Sequence, residues 1–222
     1  MEFKNHLPDD YYLTNIVKNF ENYDKETIDY NTLLHERNKV VKEKLSLNHI
    51  EFIEYFVRLI KPKNFLELGV QYGECSQKLI DLIPYFYYGV DIYKNENIDY
   101  LTQNKKNFKF FHSKTDDFFT MIDSFNINLS LDMVFIDACH SNEASYNDFL
   151  NVRKHLNDDA IIFFHDTYPA SEYWTDEGLC NDCYKTSEMI RKKHYDEFEI
   201  MTIPVNPGIS IARKCTKQLQ WL

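Results

Sequence analysis

Two stretches of this chain gather residue types able to do chemistry. The first is Glu67-Leu68-Gly69-Val70-Gln71-Tyr72-Gly73, followed at the end of the next apolar run by Asp91. Two glycines at a strand-to-helix turn let a ligand approach the backbone closely. The spacing is not that of a dinucleotide fingerprint, Gly-x-Gly-x-x-Gly, because Gly69 and Gly73 are separated by Val70, Gln71 and Tyr72. Glu67 would also set a carboxylate beside a pyrophosphate, whereas it suits a cationic or amine-bearing ligand. Asp91 stands where an acidic side chain can take both hydroxyls of a ribose. The second stretch is split: Ile136-Asp137-Ala138-Cys139-His140-Ser141 and His165-Asp166-Thr167. Two carboxylates and two imidazoles at one rim can ligate a divalent cation, or serve as an acid/base pair without one.

These residues need elements to position them, and the pattern supplies an alternation. Leu47 to Ile60 reads as an amphipathic helix with Ser46 or Asn48 as its cap, ended by Pro62. Apolar strands are expected at 64–69, 86–91, 108–112, 133–137 and 160–165, with helices at 75–83, 98–104, 116–124 and 143–156 between them. Each strand is a nearly continuous apolar run, as in a parallel sheet covered by helices on both faces. After a helix at 184–195 come two further strands, 199–204 and 209–213. The short link Val205-Asn206-Pro207-Gly208 allows only an antiparallel hairpin. The expected fold class is therefore α/β, a doubly wound sheet of five parallel strands plus a C-terminal antiparallel hairpin. The polar, helical first 45 residues are expected as an N-terminal arm or cap, and 46–222 as the domain that carries the site.

Composition narrows the function. Lys+Arg 25 against Asp+Glu 35 leaves a net charge of −10, which argues against a nucleic-acid-coating face. No apolar run reaches the roughly 18 residues of a spanning helix, and the N-terminus lacks the pattern of a signal peptide. The five cysteines show no disulfide framework, so a cytoplasmic protein with reduced thiols and no membrane association is expected. Cys180-x-x-Cys183 is either a redox or metal half-site, or two free thiols in a loop and a helix start. Only 5 glycines occur in 222 residues, so each is expected to mark a place where a side chain is hard to fit.

In order and spacing, Glu67-x-Gly69-x-x-x-Gly73, Asp91 and the terminal hairpin resemble a class I S-adenosylmethionine-dependent methyltransferase with its Rossmann-like sheet. The resemblance spans about 46–213. It implies that Glu67, Gly69, Gln71 and Gly73 surround the methionine part of S-adenosyl-L-methionine and that Asp91 holds the ribose. It also implies that Ser113, Lys114 and Asp116 lie near the adenine, with Asp137 bordering the cofactor. Many members have a glycine where Gln71 stands. The pattern Ile136-Asp137-x-x-His140-Ser141 with His165-Asp166-Thr167 is similar to a subgroup with macrolide-sugar O-methyltransferases and cephalosporin-hydroxylase-like proteins. It resembles the catechol type more distantly. By that resemblance Asp137, His165 and Asp166 would hold Mg²⁺ or another divalent metal, an imidazole at His165 favouring a transition metal. The expected activity is O-methylation of a hydroxyl on a small molecule or sugar, with His140 first and His165 second as candidate base. N-methylation on the same scaffold, or a non-catalytic cofactor-binding or NAD-binding Rossmann-like protein, are the alternatives. The aromatic stretch 167–179 is expected to form an acceptor-binding wall or lid, and the N-terminal arm is a candidate contact with a second copy of the chain.

Overall fold

A computed structural model describes residues 48–215. The expected arm at 1–45 and the domain boundary at 46 lie outside the described residues. The elements run α1 (His49–Ile60), β1 (Asn64–Leu68), α2 (Glu74–Leu79), β2 (Phe86–Asp91), α3 (Glu96–Asn104), β3 (Phe108–His112) and α4 (Thr115–Ser124). They continue with β4 (Leu131–Ile136), α5 (Asn142–Val152), β5 (Leu156–His165), α6 (Tyr184–Lys193), β6 (Phe198–Ile203) and β7 (Ile209–Lys214). The seven strands form one sheet in the order β3-β2-β1-β4-β5-β7-β6. Strands β1 to β5 pair in parallel, and β7 runs antiparallel to both β5 and β6. This is the doubly wound, Rossmann-like architecture expected from the sequence.

The central strands β1, β4 and β5 carry continuous apolar runs because they bury both faces, whereas the edge strands β3 and β6 are partly exposed. On one side Leu66, Leu68, Val134, Ile136, Ile162 and Phe164 meet Phe118 and Phe119 of α4 and Phe149 of α5. On the other, Phe65, Met133, Phe135 and Phe163 meet Ile53 and Val57 of α1, Leu79 of α2 and Leu101 of α3. Helix α1 shows how local chemistry sets an element. The Asn48 side chain accepts from the Glu51 N–H at the start, and Lys61 closes the end in a left-handed conformation ahead of Pro62, which cannot continue a helix.

Boundaries move most around β5. The helix expected to reach 156 stops at Val152, a 3₁₀ turn covers Arg153–His155, and β5 begins at Leu156 rather than Ala160. The polar run Asn157-Asp158-Asp159 looks like a loop in sequence. It sits in the strand because Asn157 donates to Ser130 O at 2.8 Å and Asp132 Oδ1 at 2.7 Å, and the register shifts between Leu131 and Met133. Among the described residues, no helix is long and apolar enough to cross a membrane.

The order of strands reverses beside β1, which pairs with β2 on one side and β4 on the other. A crevice opens beyond the carboxyl ends of strands at such a switch point, and both chemistry-bearing stretches end there.

Candidate active site

A cavity of about 620 Å³ occupies the crevice. Glu67, Gly69, Gln71, Asp91, Ser113, Lys114, Asp116, Asp137, His140, His165 and Asp166 all border it. Of the candidate residues read from the sequence, Gly73 does not. It caps the N-terminus of α2 in a left-handed conformation instead, and so ends the loop.

The loop between β1 and α2 takes its shape from close backbone approach. Gly69 donates its N–H to Val90 O at 2.9 Å while Asp137 donates to Leu68 O at 2.8 Å, which draws the ends of β1, β2 and β4 together. A Cβ on Gly69 would lie 2.2 Å from the Asp137 carbonyl oxygen, so no side chain fits there. Gln71 keeps a positive φ of 50°, the conformation a glycine would supply without strain. Asp91 secures the loop. Its Oδ2 accepts from the Val70 and Gln71 N–H groups, each at 2.7 Å, and its Oδ1 accepts from Tyr93 N–H at 2.7 Å. Asn95 Nδ2 adds a bond to Gln71 O at 2.7 Å.

Glu67 is buried at the end of β1, where its Oε2 accepts from the Tyr87 hydroxyl at 2.7 Å and from the Ser76 hydroxyl. Burial pushes its carboxyl up to about 8, against the pull of those two donors. A cationic group in the cavity would reverse that shift, because it favours the charged form. Beyond β3, Ser113 donates its N–H to Asp91 O at 3.0 Å, and its hydroxyl is buried without a partner among the described residues. Asp116 Oδ1 accepts from Asn147 of α5.

The opposite end of the cavity holds the two aspartates and two histidines. His165 Nδ1 lies 3.1 Å from Asp137 Oδ1 and 3.5 Å from Asp166 Oδ1. His140 Nδ1 faces the Leu179 carbonyl and lies 3.0 Å from Asp166 Oδ2, while its Nε2 lies 3.6 Å from Asp137 Oδ1. A carbonyl can only accept, so Nδ1 of His140 carries a proton. Burial alone would raise the Asp137 carboxyl, but His165 and His140 outweigh it and hold that carboxyl well below the usual range. Asp137, with Asp166, pushes His140 up to about 9 against the effect of burial. Burial would lower His165, yet Asp137 raises it, and Asp166 is raised chiefly by its own burial. Asp166 adopts a positive φ of 57°, so the turn that presents its carboxylate carries backbone strain.

Three of these groups suit a metal ion. Single ligand atoms from Asp137, His140 and Asp166 all lie within 4.8 Å of one another. Two carboxylate oxygens and one imidazole nitrogen fit a divalent transition ion better than Mg²⁺, which prefers oxygen. The structure thus brings His140 into this trio, while His165 turns its Nδ1 to Asp137 and stacks its ring against His49.

One expectation is corrected, and one pair of alternatives is decided. The aromatic stretch 167–179 does not border the cavity, and Tyr168 and Tyr173 are exposed. It acts from behind instead: Leu179 anchors His140, and the Tyr168 N–H donates to Pro207 O at 2.8 Å. That contact needs Gly208, because a Cβ there would lie 2.3 Å from Tyr168 N. Cys180 and Cys183 are two buried free thiols, Cys183 at the start of α6. The Cys180 thiol donates to Asp166 Oδ1 at 3.5 Å. Burial and that carboxylate push it far up, and burial takes Cys183 up to about 12. Neither thiol is activated as a nucleophile.

The sequence reading missed His49, the first residue of α1, whose ring borders the cavity beside His165. Burial and His165 push it down to about 4. No motif flags a histidine at that place; only the packing of α1 over β4 and β5 brings it in.

With this geometry in hand, residues 66–167 match a family model described as a methyltransferase domain. An O-methyltransferase from Bacillus cereus in complex with SAH is similar in fold at TM-score 0.59 and 16% identity, over 92% of this chain and 96% of that one. The O-methyltransferase TomG from Streptomyces achromogenes, involved in tomaymycin synthesis and solved with SAM, gives 0.60 and 15% over 93% and 95%. A methyltransferase from Geobacter sulfurreducens gives 0.55 and 11% over 90% and 97%. No curated protein matches the sequence.

Proposed function

We propose that this chain, whose residues 66–167 match a methyltransferase-domain model, is an S-adenosylmethionine-dependent methyltransferase that transfers the sulfonium methyl to a hydroxyl on a small molecule or sugar. One observation carries the reading. A single cavity joins a glycine loop with two acids, Glu67 and Asp91, to a rim of two aspartates and two histidines. The first end suits an amine and a ribose, and the second suits a hydroxyl that must lose a proton.

The division of labour follows from the chemistry. A sulfonium methyl is already activated, so the protein must align a nucleophile in line with it and remove a proton. Glu67 faces the amine of the methionine part, Asp91 and its loop hold the ribose, and Ser113, Lys114 and Asp116 border the adenine. Tyr72 and Tyr93 border the cavity and are themselves exposed. His140 is positioned by Leu179 and Asp166 so that Nε2 faces the cavity beside Asp137. Without an ion, Nε2 of the neutral form of His140 is the site that takes the hydroxyl proton, with His165 as the alternative base; the rise of His140 to about 9 places that form at alkaline pH. Were a divalent ion held by Asp137, His140 and Asp166, the His140 nitrogen would be its ligand rather than the base, and the ion would supply Lewis acidity to the hydroxyl. The free thiols support a reducing compartment, the cytoplasm.

Calorimetry tests the cofactor. Binding of S-adenosylmethionine or SAH at micromolar affinity is expected, and selective binding of NAD instead would refute the reading. For the chemistry, Asp137→Ala and Asp166→Ala are expected to abolish turnover while SAH affinity stays within about fivefold. Turnover that survives both substitutions and a chelator would overturn the role given to this rim.

A further inference from the structure

Of the imidazoles in the cavity, two are tied up and one is not. His165 and His140 each turn Nδ1 to an aspartate or a carbonyl. His49 has no hydrogen-bond partner on either ring nitrogen among the described residues, although its ring is partly buried. Its centroid lies 4.1 Å from that of His165 at 49°, and 5.7 Å from that of Phe135 at 29°. Two neighbouring rings therefore fix its orientation and leave its polar atoms to the cavity that it borders. An imidazole nitrogen that borders a cavity is available to pair with a ligand that enters it.

The position says what that partner is. The cofactor-facing residues Gly69, Gln71, Asp91 and Ser113 end β1, β2 and β3, whereas His49 packs over Phe135 and His165 at the ends of β4 and β5. We propose that His49 is an acceptor-binding residue: its imidazole forms a hydrogen bond with the hydroxyl-bearing acceptor, which sits between the first turn of α1 and the Asp137–His140–Asp166 rim. This rests on the methyl-transfer reading. It also gives α1 a part in acceptor choice that no motif at the strand ends supplies. Ile50, next along α1, adds apolar surface to the same wall.

The test separates hydrogen bonding from ring packing. His49→Phe keeps a flat ring between Phe135 and His165 but removes both nitrogens, and His49→Gln keeps hydrogen-bonding capacity without the ring. Each protein is loaded with SAH and titrated calorimetrically with 3,4-dihydroxybenzoate and with methyl glucoside. The unaltered protein is expected to bind at least one probe. His49→Phe is expected to weaken that binding tenfold or more and His49→Gln less than fourfold, with SAH affinity in both within twofold of the unaltered protein. Equal probe affinity in His49→Phe overturns the proposal, as does an equal loss in both variants, which would mark His49 as packing only. Binding of neither probe to the SAH-loaded unaltered protein overturns it too. Failure of SAH to bind is a different result, and it overturns the methyl-transfer reading itself.

Discussion

Replacing Gly69 by alanine puts a methyl group where three strand ends meet. The added Cβ would lie 2.2 Å from the Asp137 carbonyl oxygen, 2.5 Å from its carbonyl carbon and 2.7 Å from Ala138 Cα. Non-bonded carbon atoms settle at about 3.5–4.0 Å, so the ends of β1 and β4 must part by about an ångström. They are joined at that point by the Asp137 N–H to Leu68 O bond of 2.8 Å. Two costs add: about 1–2 kcal/mol for an L side chain at a φ of +90°, and about 1–3 kcal/mol for overpacking against backbone that cannot rotate away. Alanine stiffens the unfolded chain and returns about 0.4–1 kcal/mol. The net loss is about 1–4.6 kcal/mol, centred near 3, a large part of the roughly 5–15 kcal/mol that holds a domain folded. Urea unfolding measures it as a lower midpoint at unchanged slope. Calorimetry with SAH should show at least a tenfold weaker affinity, because the loop that borders the cofactor end of the cavity is displaced. Gly178→Ala is the control. Its Cβ would meet only Asp176 Oδ1, at 3.7 Å, so stability should stay within about 0.5 kcal/mol. A Gly69→Ala protein within about 1 kcal/mol of the original, with SAH affinity unchanged, would refute the close-approach argument.

Three further outcomes are expected. Asp91→Ala unpairs the N–H groups of Val70, Gln71 and Tyr93; it should cost about 1–3 kcal/mol of stability and weaken SAH binding, with Asp91→Asn intermediate, by urea unfolding and calorimetry. Burial, with Asp116 nearby, raises the Asp148 carboxyl from its ordinary 3.8 to about 7. The folded chain therefore keeps a proton that the unfolded chain releases, and this contribution is complete below pH 3.8 and lost as pH rises through about 7. Asp148→Asn should remove on the order of 2–4 kcal/mol of that pH dependence, read as a flatter plot of urea midpoint against pH from 4 to 8. Gly208→Ala presses on Tyr168 N, 2.3 Å away, and should shift the turn that carries Asp166; turnover is expected to fall more than SAH affinity does, in steady-state kinetics set beside calorimetry.

What the sequence by itself determined is the order of elements and the chemistry at their ends. Continuous apolar runs bury two faces, so they specify a parallel sheet, and the short Val205–Gly208 link specifies the hairpin. Strand ends are adjacent in sequence to the residues they carry, so Glu67, Asp91, Asp137 and His165–Asp166 could be placed at one rim before any contact was known. Gln71 marks how far this local reading goes: its positive φ follows from the loop motif and not from glutamine's own preference. Tertiary structure decided the rest, because pairing across the rim depends on distances that no spacing encodes. It settled that His140, held by Leu179 from a distant loop, joins Asp137 and Asp166, and that His165 turns to Asp137 and His49. It brought in His49 through the packing of α1 on Phe135 and Phe163, a contact between segments more than eighty residues apart. It also moved the aromatic stretch 167–179 behind the site, since Tyr168 is pinned by a hairpin turn some forty residues further along the chain. Local pattern reports what a residue can do, and only the packed fold reports which neighbour it does it with.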